Sequence, residues 1–509
     1  MMADLNGAAM YFLVSFLPLI LLLLWSARRI RTAAEFYAVG HEYSGFRNGL
    51  AISGDYLSAA SFLGISGLIV TSGYAGMLYA VGFFAGWPLI LILLADKLRS
   101  IGRYTLADVL NDRFSNPSIV LLGTFGYFPV VVIYLAAQFV AMTYLLEYLF
   151  GYGYDSSLFA LAALALVTAV TGHMIFSSRA QMIKAVLIFS VTLLVTALAY
   201  FSAGHEWPAL FNVLQVTEVQ GAGGHAAEMS LAGHFYLTGG ESALALLSLG
   251  IALILGPVGL PHIMSRFFSV SDERRARMSV FYATGVIGLF YILIIVLGFL
   301  IIARLPDMPP QASAEGANLA AVYLASVVGG DLVAGVFTAV LMTVLLSVMT
   351  SLILTGSSAL SHDWYALTLG KTRNYRQEQR LHRFASTISV STAIVIALLS
   401  EGQNVAYMVG LAFSFAASVN VPLLLGALYW EGLTARGALI GGWCGLIAAT
   451  AAVFTGPMVV IDWFGFEQAI FPWRNPALFS ISITILAMWY FSVTDQTSEG
   501  DGREDEYSD

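Results

Sequence analysis

The chain has 509 residues, of which 58% are hydrophobic and only 11% charged, and its net charge is -8. Mean hydropathy is +0.80. Soluble globular chains hold about 45–50% apolar and about 25% charged residues, so this balance excludes an ordinary soluble domain and predicts a polytopic membrane protein. Much of the negative charge sits in the terminal "SEGDGREDEYSD", read as a solvated, disordered tail over 496–509. The single cysteine, Cys444, lies in an apolar run and permits no intrachain disulfide.

Taken in chain order, the first apolar run (10–25) is followed by the arginines of "SARRIR" rather than preceded by them. A cleaved signal has the opposite order, so the run is predicted to stay as the first span. Further runs lie at 49–70, 77–95, 119–150, 157–172, 182–201 and 242–264. The series continues at 279–302, 332–354, 387–399, 406–428, 438–454 and 477–491, which makes thirteen spans. The tenth is short as written and is expected to begin before Thr387. Apolar runs of about 20 residues are helices rather than barrel strands, because lipid offers the backbone no hydrogen bonds.

The distribution of basic residues tests the count. With the amino terminus outside, all but Arg304 and Arg474 of the 23 Lys and Arg residues fall on the inner side, Lys184 and Arg266 among them. That predicts an external amino terminus and a cytoplasmic carboxyl terminus. The long outer loop has no Lys or Arg and is expected to hold a short interfacial helix near 207–214. No segment is long enough for a separate soluble domain, so residues 1–495 read as one membrane domain.

Two spans are interrupted. "LAISGDYLSAASFLGISGLIV" places Asp55 in the second span beside Gly54, Ser53, Ser58 and Ser61. A charge at mid-membrane costs about 2.5–3.5 kcal/mol on insertion scales, so it needs a compensating role. The seventh span carries "LILGPVGLPHIM", where Gly256, Pro257, Gly259 and Pro261 interrupt the helix. Packing glycines and kink prolines are the alternative reading of either break. Two breaks in corresponding positions, however, predict a secondary-transporter site at a repeat interface. Spans 2–6 (about 48–203) and 7–11 (about 242–428) would be the two repeats, and five members apiece puts the second in inverted orientation. Half-helix amino ends suit a carboxylate, and freed carbonyls and hydroxyls suit a hard cation.

The stretch "NGLAISGDYLSAASFLGISGLIVTSGYAGMLYAVGFFAGWPLIL" resembles the second and third spans of the sodium:solute symporter family. "GRYTLADVLNDRF", "GLPHIMSRFFSV", "GSSALSHDWY" and "GALYWEGLTARGALIGGWCG" extend the resemblance over roughly residues 10–495, most similar to the cation/acetate and monocarboxylate symporters. The resemblance implies a leucine-transporter-like 5+5 inverted-repeat core and alternating access. It also implies a Na+ site between spans 2 and 9, with carbonyls of Gly54, Leu57 and Val344 and the hydroxyl of Ser347. Val348 stands where the family usually has a second hydroxyl, which weakens or shifts that site. Proton coupling with Asp55 as carrier therefore stays open, as does a different small solute such as an amino acid or sugar.

The substrate is expected between spans 2, 4, 7 and 11. Candidates are Ser58 and Ser61, Tyr134 and Gln138 (four apart on one helical face), Gly256 and Pro257, and Ser414, with Tyr407 and Ser418 as further lining. Ordinary interhelical hydrogen bonding is the competing account of each. The absence of a large aromatic at Gly256–Pro257, where related sugar carriers stack one, fits a small monocarboxylate such as acetate, propionate or pyruvate. His262 is expected at the inner interface. The sequence has no GxxxxGK[ST] and no HExxH, and no nucleophile–base set at one depth, so an enzyme is not expected. No cofactor is expected beyond Na+, or H+, as coupling ion. The expected partners are the carboxylate, the ion and the lipid bilayer of a bacterial cytoplasmic membrane. A small membrane subunit is an allowed addition, and the basic run "KTRNYRQEQRLHR" suits anionic headgroups rather than nucleic acid.

Overall fold

Helices begin where the sequence supplies caps. Ser44, Asn116, Asp272, Asn404 and Thr434 each accept a hydrogen bond from a backbone N–H of the helix that follows, and Asn116 is followed by Pro117 at the first helical position. At Asp272, the Arg275 backbone N–H and then the Ser271 hydroxyl hold the carboxyl below its ordinary value. Gly151, with φ 66°, closes the longest of the capped helices in the left-handed conformation that favours glycine.

In this computed structural model, the described residues are 7–27, 43–101, 106–171, 178–202, 218–220, 226–228, 243–264, 266–267, 270–313, 317–358, 360 and 375–504. The helices of the first half are α1 (Gly7–Ala27), α2 (Gly45–Tyr56), α3 (Ile65–Ser72), α4 (Tyr74–Leu93), α5 (Ala95–Ile101), α6 (Leu106–Phe114), α7 (Pro117–Phe150), α8 (Tyr154–Thr171) and α9 (Ser178–Ser202). Those of the second half are α10 (Ala243–Leu255), α11 (Pro261–Met264), α12 (Glu273–Arg304), α13 (Ala320–Ser358), α14 (Tyr375–Leu399), α15 (Val405–Phe415), α16 (Val421–Tyr429), α17 (Ala435–Phe454) and α18 (Ala477–Glu504).

The protein is an all-helical bundle whose one departure among the described residues is a small antiparallel hairpin. Glu218–Gln220 pairs with Ala226–Glu228, with Val219 opposite Ala227. The interfacial helix expected near 207–214 lies outside the described residues. Among the described residues, nine helices are long and apolar enough to cross a bilayer, or ten if the bent pair Gly45–Tyr56 and Ala60–Ser72 is one span. Shorter apolar helices at Gly7–Leu22, Tyr154–Val167 and Ala243–Gly259 stand at the other expected positions. Large apolar side chains such as Ile92, Leu194, Val395 and Leu486 point outward, while Asp55, Gln138 and Lys184 are buried. Lipid rather than water is the solvent that makes this inversion stable. The tenth span starts early, as expected: α14 begins at Tyr375.

Packing repeats itself when the two halves are exchanged. In the first half α2 packs on α9 and α12; in the second, α10 packs on α15 and α4. Likewise α7 packs on α8 and α15, and α13 on α14 and α9. The pairs α4 with α12, α7 with α13, and α8 with α14 map onto themselves. Outside this exchange, α1 lies along α13, and α17 and α18 pair with each other. The last helix runs to Glu504, so its backbone stays helical over 496–504, where the sequence reading has a disordered tail. Extending an already nucleated helix adds one bond per residue, which even a polar segment can exploit.

Candidate functional site

The site is built on the two interrupted spans. Leu57 donates its N–H to the Ser53 carbonyl, the last bond of α2, and then turns extended (φ -69°, ψ 110°). The chain re-enters helix through a π turn over Ala60–Gly64, and the two arms are bent by 69°. The break therefore falls at Leu57–Ala59. Gly54 and Asp55, which the sequence places within the unwound stretch, stay in the last turn of α2. Carbonyls from Gly54 onward lie past the final helical donor.

Tertiary partners hold this break open. The Tyr134 hydroxyl donates to Ser58 Oγ at 2.9 Å, and the Ala59 N–H donates to Gln138 Oε1 at 3.4 Å. Thus the two residues read four apart on one face of α7 both reach the same broken stretch. Ser61 Oγ lies 3.1 Å from the Tyr291 hydroxyl of α12. Tyr56 donates to the Phe83 carbonyl at 2.7 Å, with its ring edge-on to Trp87.

The second break is apolar. α10 ends at Leu255, a 3-10 turn spans Gly256–Gly259, and Leu260 is extended (φ -80°, ψ 120°) just ahead of Pro261. Proline forbids helical conformation to the residue before it, which accounts for Leu260. Gly256 is needed for close approach: a Cβ there would overlap Phe413 of α15. Phe413 also packs on Phe83 and Tyr134, with ring centroids 5.0 and 6.1 Å apart.

α15 touches both breaks. At its start Asn404 donates to the Gly64 carbonyl at 3.0 Å, and beyond its end Asn420 donates to the Gly259 carbonyl at 3.2 Å. Sequence reasoning passed over both residues; an Asn inside the apolar run "AFSFAASVNVPLLL" was the available signal. Ser414 turns its hydroxyl to the Gly410 carbonyl of its own helix, and Ser418 bonds to the Ser414 carbonyl and Ser480. Tyr407 lies under the Arg474 guanidinium, 5.5 Å from ring centroid to cation. Val344, Ser347 and Val348 are buried in α13, and Ser347 Oγ has no hydrogen-bond partner among the described residues.

The charges gather beside the first break. Asp55 Oδ2 pairs with Arg266 Nε in an ion pair buried on both sides. Asn48 Nδ2 holds the Arg266 carbonyl at 3.2 Å. Lys184 of α9 is 0% exposed, and His262, expected at an interface, is 5% exposed with its ring 5.8 Å from that of Tyr134. The side-of-membrane count places Lys184 and Arg266 in inward loops, whereas both are buried within the bundle. Lys184 already stood two residues inside the run that begins at 182, and that was the legible clue.

Several buried polar atoms here have no hydrogen-bond partner among the described residues: Asp55 Oδ1, Gln138 Nε2, Lys184 Nζ and Ser347 Oγ. Native interiors satisfy nearly all such atoms, so each of these four is a candidate ligand contact. No group of His, Cys, Asp and Glu with transition-metal spacing occurs among the described residues.

The fold is similar to that of a Na+-coupled sialic acid symporter in its substrate-bound, outward-open state, with TM-score 0.69 and 12% identity over 96% of this chain and 97% of that one. Weaker likenesses are to Mhp1, a nucleobase-cation-symport-1 family transporter (TM-score 0.49, 12% identity, 90% and 94% covered). A manganese transporter of Eremococcus coleocola is comparable (TM-score 0.49, 15% identity, 88% and 93% covered). The exchange-symmetric packing and the first of these likenesses establish the leucine-transporter-like fold expected from the sequence. Residues 36–445 match the model of the sodium:solute symporter family, and the chain belongs to that family.

Proposed function

We propose that the protein is a secondary active transporter that couples the entry of a cation, Na+, to uptake of a small monocarboxylate such as acetate, propionate or pyruvate. The observation that carries this reading is the set of unpartnered buried polar atoms around the first break, with both acceptors (Asp55 Oδ1) and donors (Gln138 Nε2, Lys184 Nζ). A cation–anion pair supplies the missing partner to each kind. Carbonyls of Gly54, Leu57 and Val344 with Ser347 Oγ are the proposed cation ligands, since Na+ takes hard oxygen donors. Ser58, Gln138 and the amino end of the helix resuming at Ala60 suit the carboxylate. Phe413 seated on Gly256 fills the space where a bulky solute would stack, which favours a small one. Ser414 lies on the same helix as Phe413 and contributes lining rather than a free hydroxyl.

Alternating access follows if the half-helices and α15 rearrange around this fixed site, exposing it first to one side and then to the other. The proposed setting is a bacterial cytoplasmic membrane with the amino terminus outside. Val348, an isopropyl group at a proposed ligand position, favours a second reading in which protons drive the same cycle.

Reconstitution in liposomes tests both. Labelled acetate and pyruvate are expected to accumulate under an inward Na+ gradient and not without one. Accumulation under a proton gradient alone would replace Na+ with H+ as coupling ion. No gradient-driven accumulation of any short carboxylate would end the monocarboxylate reading.

A further inference from the structure

We propose that Lys184 is the counter-charge for the anionic group of the transported solute. The inference rests on the reading above that the site takes a carboxylate, and assigns the recognition of its charge to a residue on α9.

Position comes first. The Gln181 carbonyl oxygen occupies the space where a Cβ on Gly54 would lie, so this face of α9 is pressed onto the end of α2. Lys184 is three residues further along, on the same face of the helix. It lies within electrostatic reach of Asp55, Arg266 and His262. α9 also packs against α13, the helix that carries the proposed ion ligands Val344 and Ser347.

Charge balance comes second. Asp55 and Arg266 are committed to each other and cancel. Lys184 Nζ has neither a hydrogen bond nor an ion pair among the described residues and is fully buried. Charges on the other elements packed against α9 are paired or exposed: Arg275, Arg277 and Arg304 of α12 pair with Asp272, Asp96 and Asp307, while Glu273 and Arg274 of α12, Arg47 of α2 and Asp331 of α13 are exposed, and α1 has none. Among the described residues, a protonated Lys184 therefore leaves the cluster with one surplus positive charge. A buried ammonium without an acceptor is strongly disfavoured, and a monoanion is the ligand that relieves it. A cation entering alone meets repulsion from Lys184, and a carboxylate removes it. Ion and solute consequently load as a pair, which is what symport requires.

The test measures binding of labelled acetate and pyruvate to the purified full-length protein in detergent, for the wild type, Lys184→Met, Lys184→Gln and Lys184→Arg. Removing one member of a buried charge pair is expected to weaken affinity about thirtyfold or more in the two neutral variants, with Lys184→Arg retaining most of it. A monodisperse neutral variant that binds within about twofold of wild type overturns the proposal. If both neutral variants fail to fold, the wild type is titrated with acetamide and pyruvamide, the uncharged counterparts of the two acids, and binding of these within about twofold of the acids overturns the proposal. Should the wild type bind neither acid, thermal-shift screening with dicarboxylates, amino acids and uncharged sugars separates the two readings. An anionic ligand that depends on Lys184 sinks the monocarboxylate reading and upholds the counter-charge. Binding of uncharged solutes alone, or of nothing at all, overturns the counter-charge.

Discussion

The two interrupted spans occupy equivalent places in the two halves yet are built from opposite chemistry. The first, at Leu57–Ala59, is held open by side chains from α7 and bordered by the Asp55–Arg266 pair. The second, at Gly256–Leu260, is opened by prolines and sealed by Phe413, with no charge in the break itself. Fold symmetry therefore repeats the geometry and not the chemistry. The first break is polar and ionic, and the second is apolar and shaped by packing.

Removing charge from the first break should have the largest effect. Asp55→Ala removes the carboxylate that Arg266 is buried against and is expected to cost about 3–5 kcal/mol of stability, read as a lower melting temperature, together with loss of uptake. Pro257→Ala removes no charge and is expected to cost about 1 kcal/mol. Equal losses in the two variants would erase the contrast.

Steric substitutions sharpen it. A Cβ at Gly54 overlaps the Gln181 carbonyl, and one at Gly256 overlaps Phe413. Gly54→Ala and Gly256→Ala are each expected to lose about 1–3 kcal/mol, because overpacking ignores charge. A far larger loss for Gly54→Ala would mean that close backbone approach, rather than ionic chemistry, sets the first break apart.

Ser58→Ala, with Pro257→Ala, is expected to have the smallest effect: it deprives the buried Tyr134 hydroxyl of its acceptor at a cost of about 1 kcal/mol. Its readout is a weakened apparent affinity in uptake with the melting temperature nearly kept.

The apolar runs and both breaks were legible in the sequence because each is a local property: composition for the runs, and Gly, Pro and a mid-span carboxylate for the breaks. Tyr134 and Gln138 were legible as a pair because helical spacing puts them on one face. The exact place of the first break was not. Glycine permits departure from a helix without forcing it, and the chain leaves α2 only where Gln138 accepts the Ala59 N–H in place of a helical carbonyl and Tyr134 holds the Ser58 side chain. Lys184 and Arg266 were misplaced for a related reason. Counting charge by side of the membrane assumes each basic residue answers to water or lipid, whereas Arg266 answers to a carboxylate 211 residues earlier.

Asn404 and Asn420 have a mechanical consequence. They stand sixteen residues apart on one nearly continuous span, about 24 Å along its axis, and each grips a carbonyl at the edge of a different break. A stiff rod pinned at both ends cannot let one joint flex while the other stays still. Under the alternating access proposed above, opening of the first break tilts this rod and draws the second with it, so the two breaks move together.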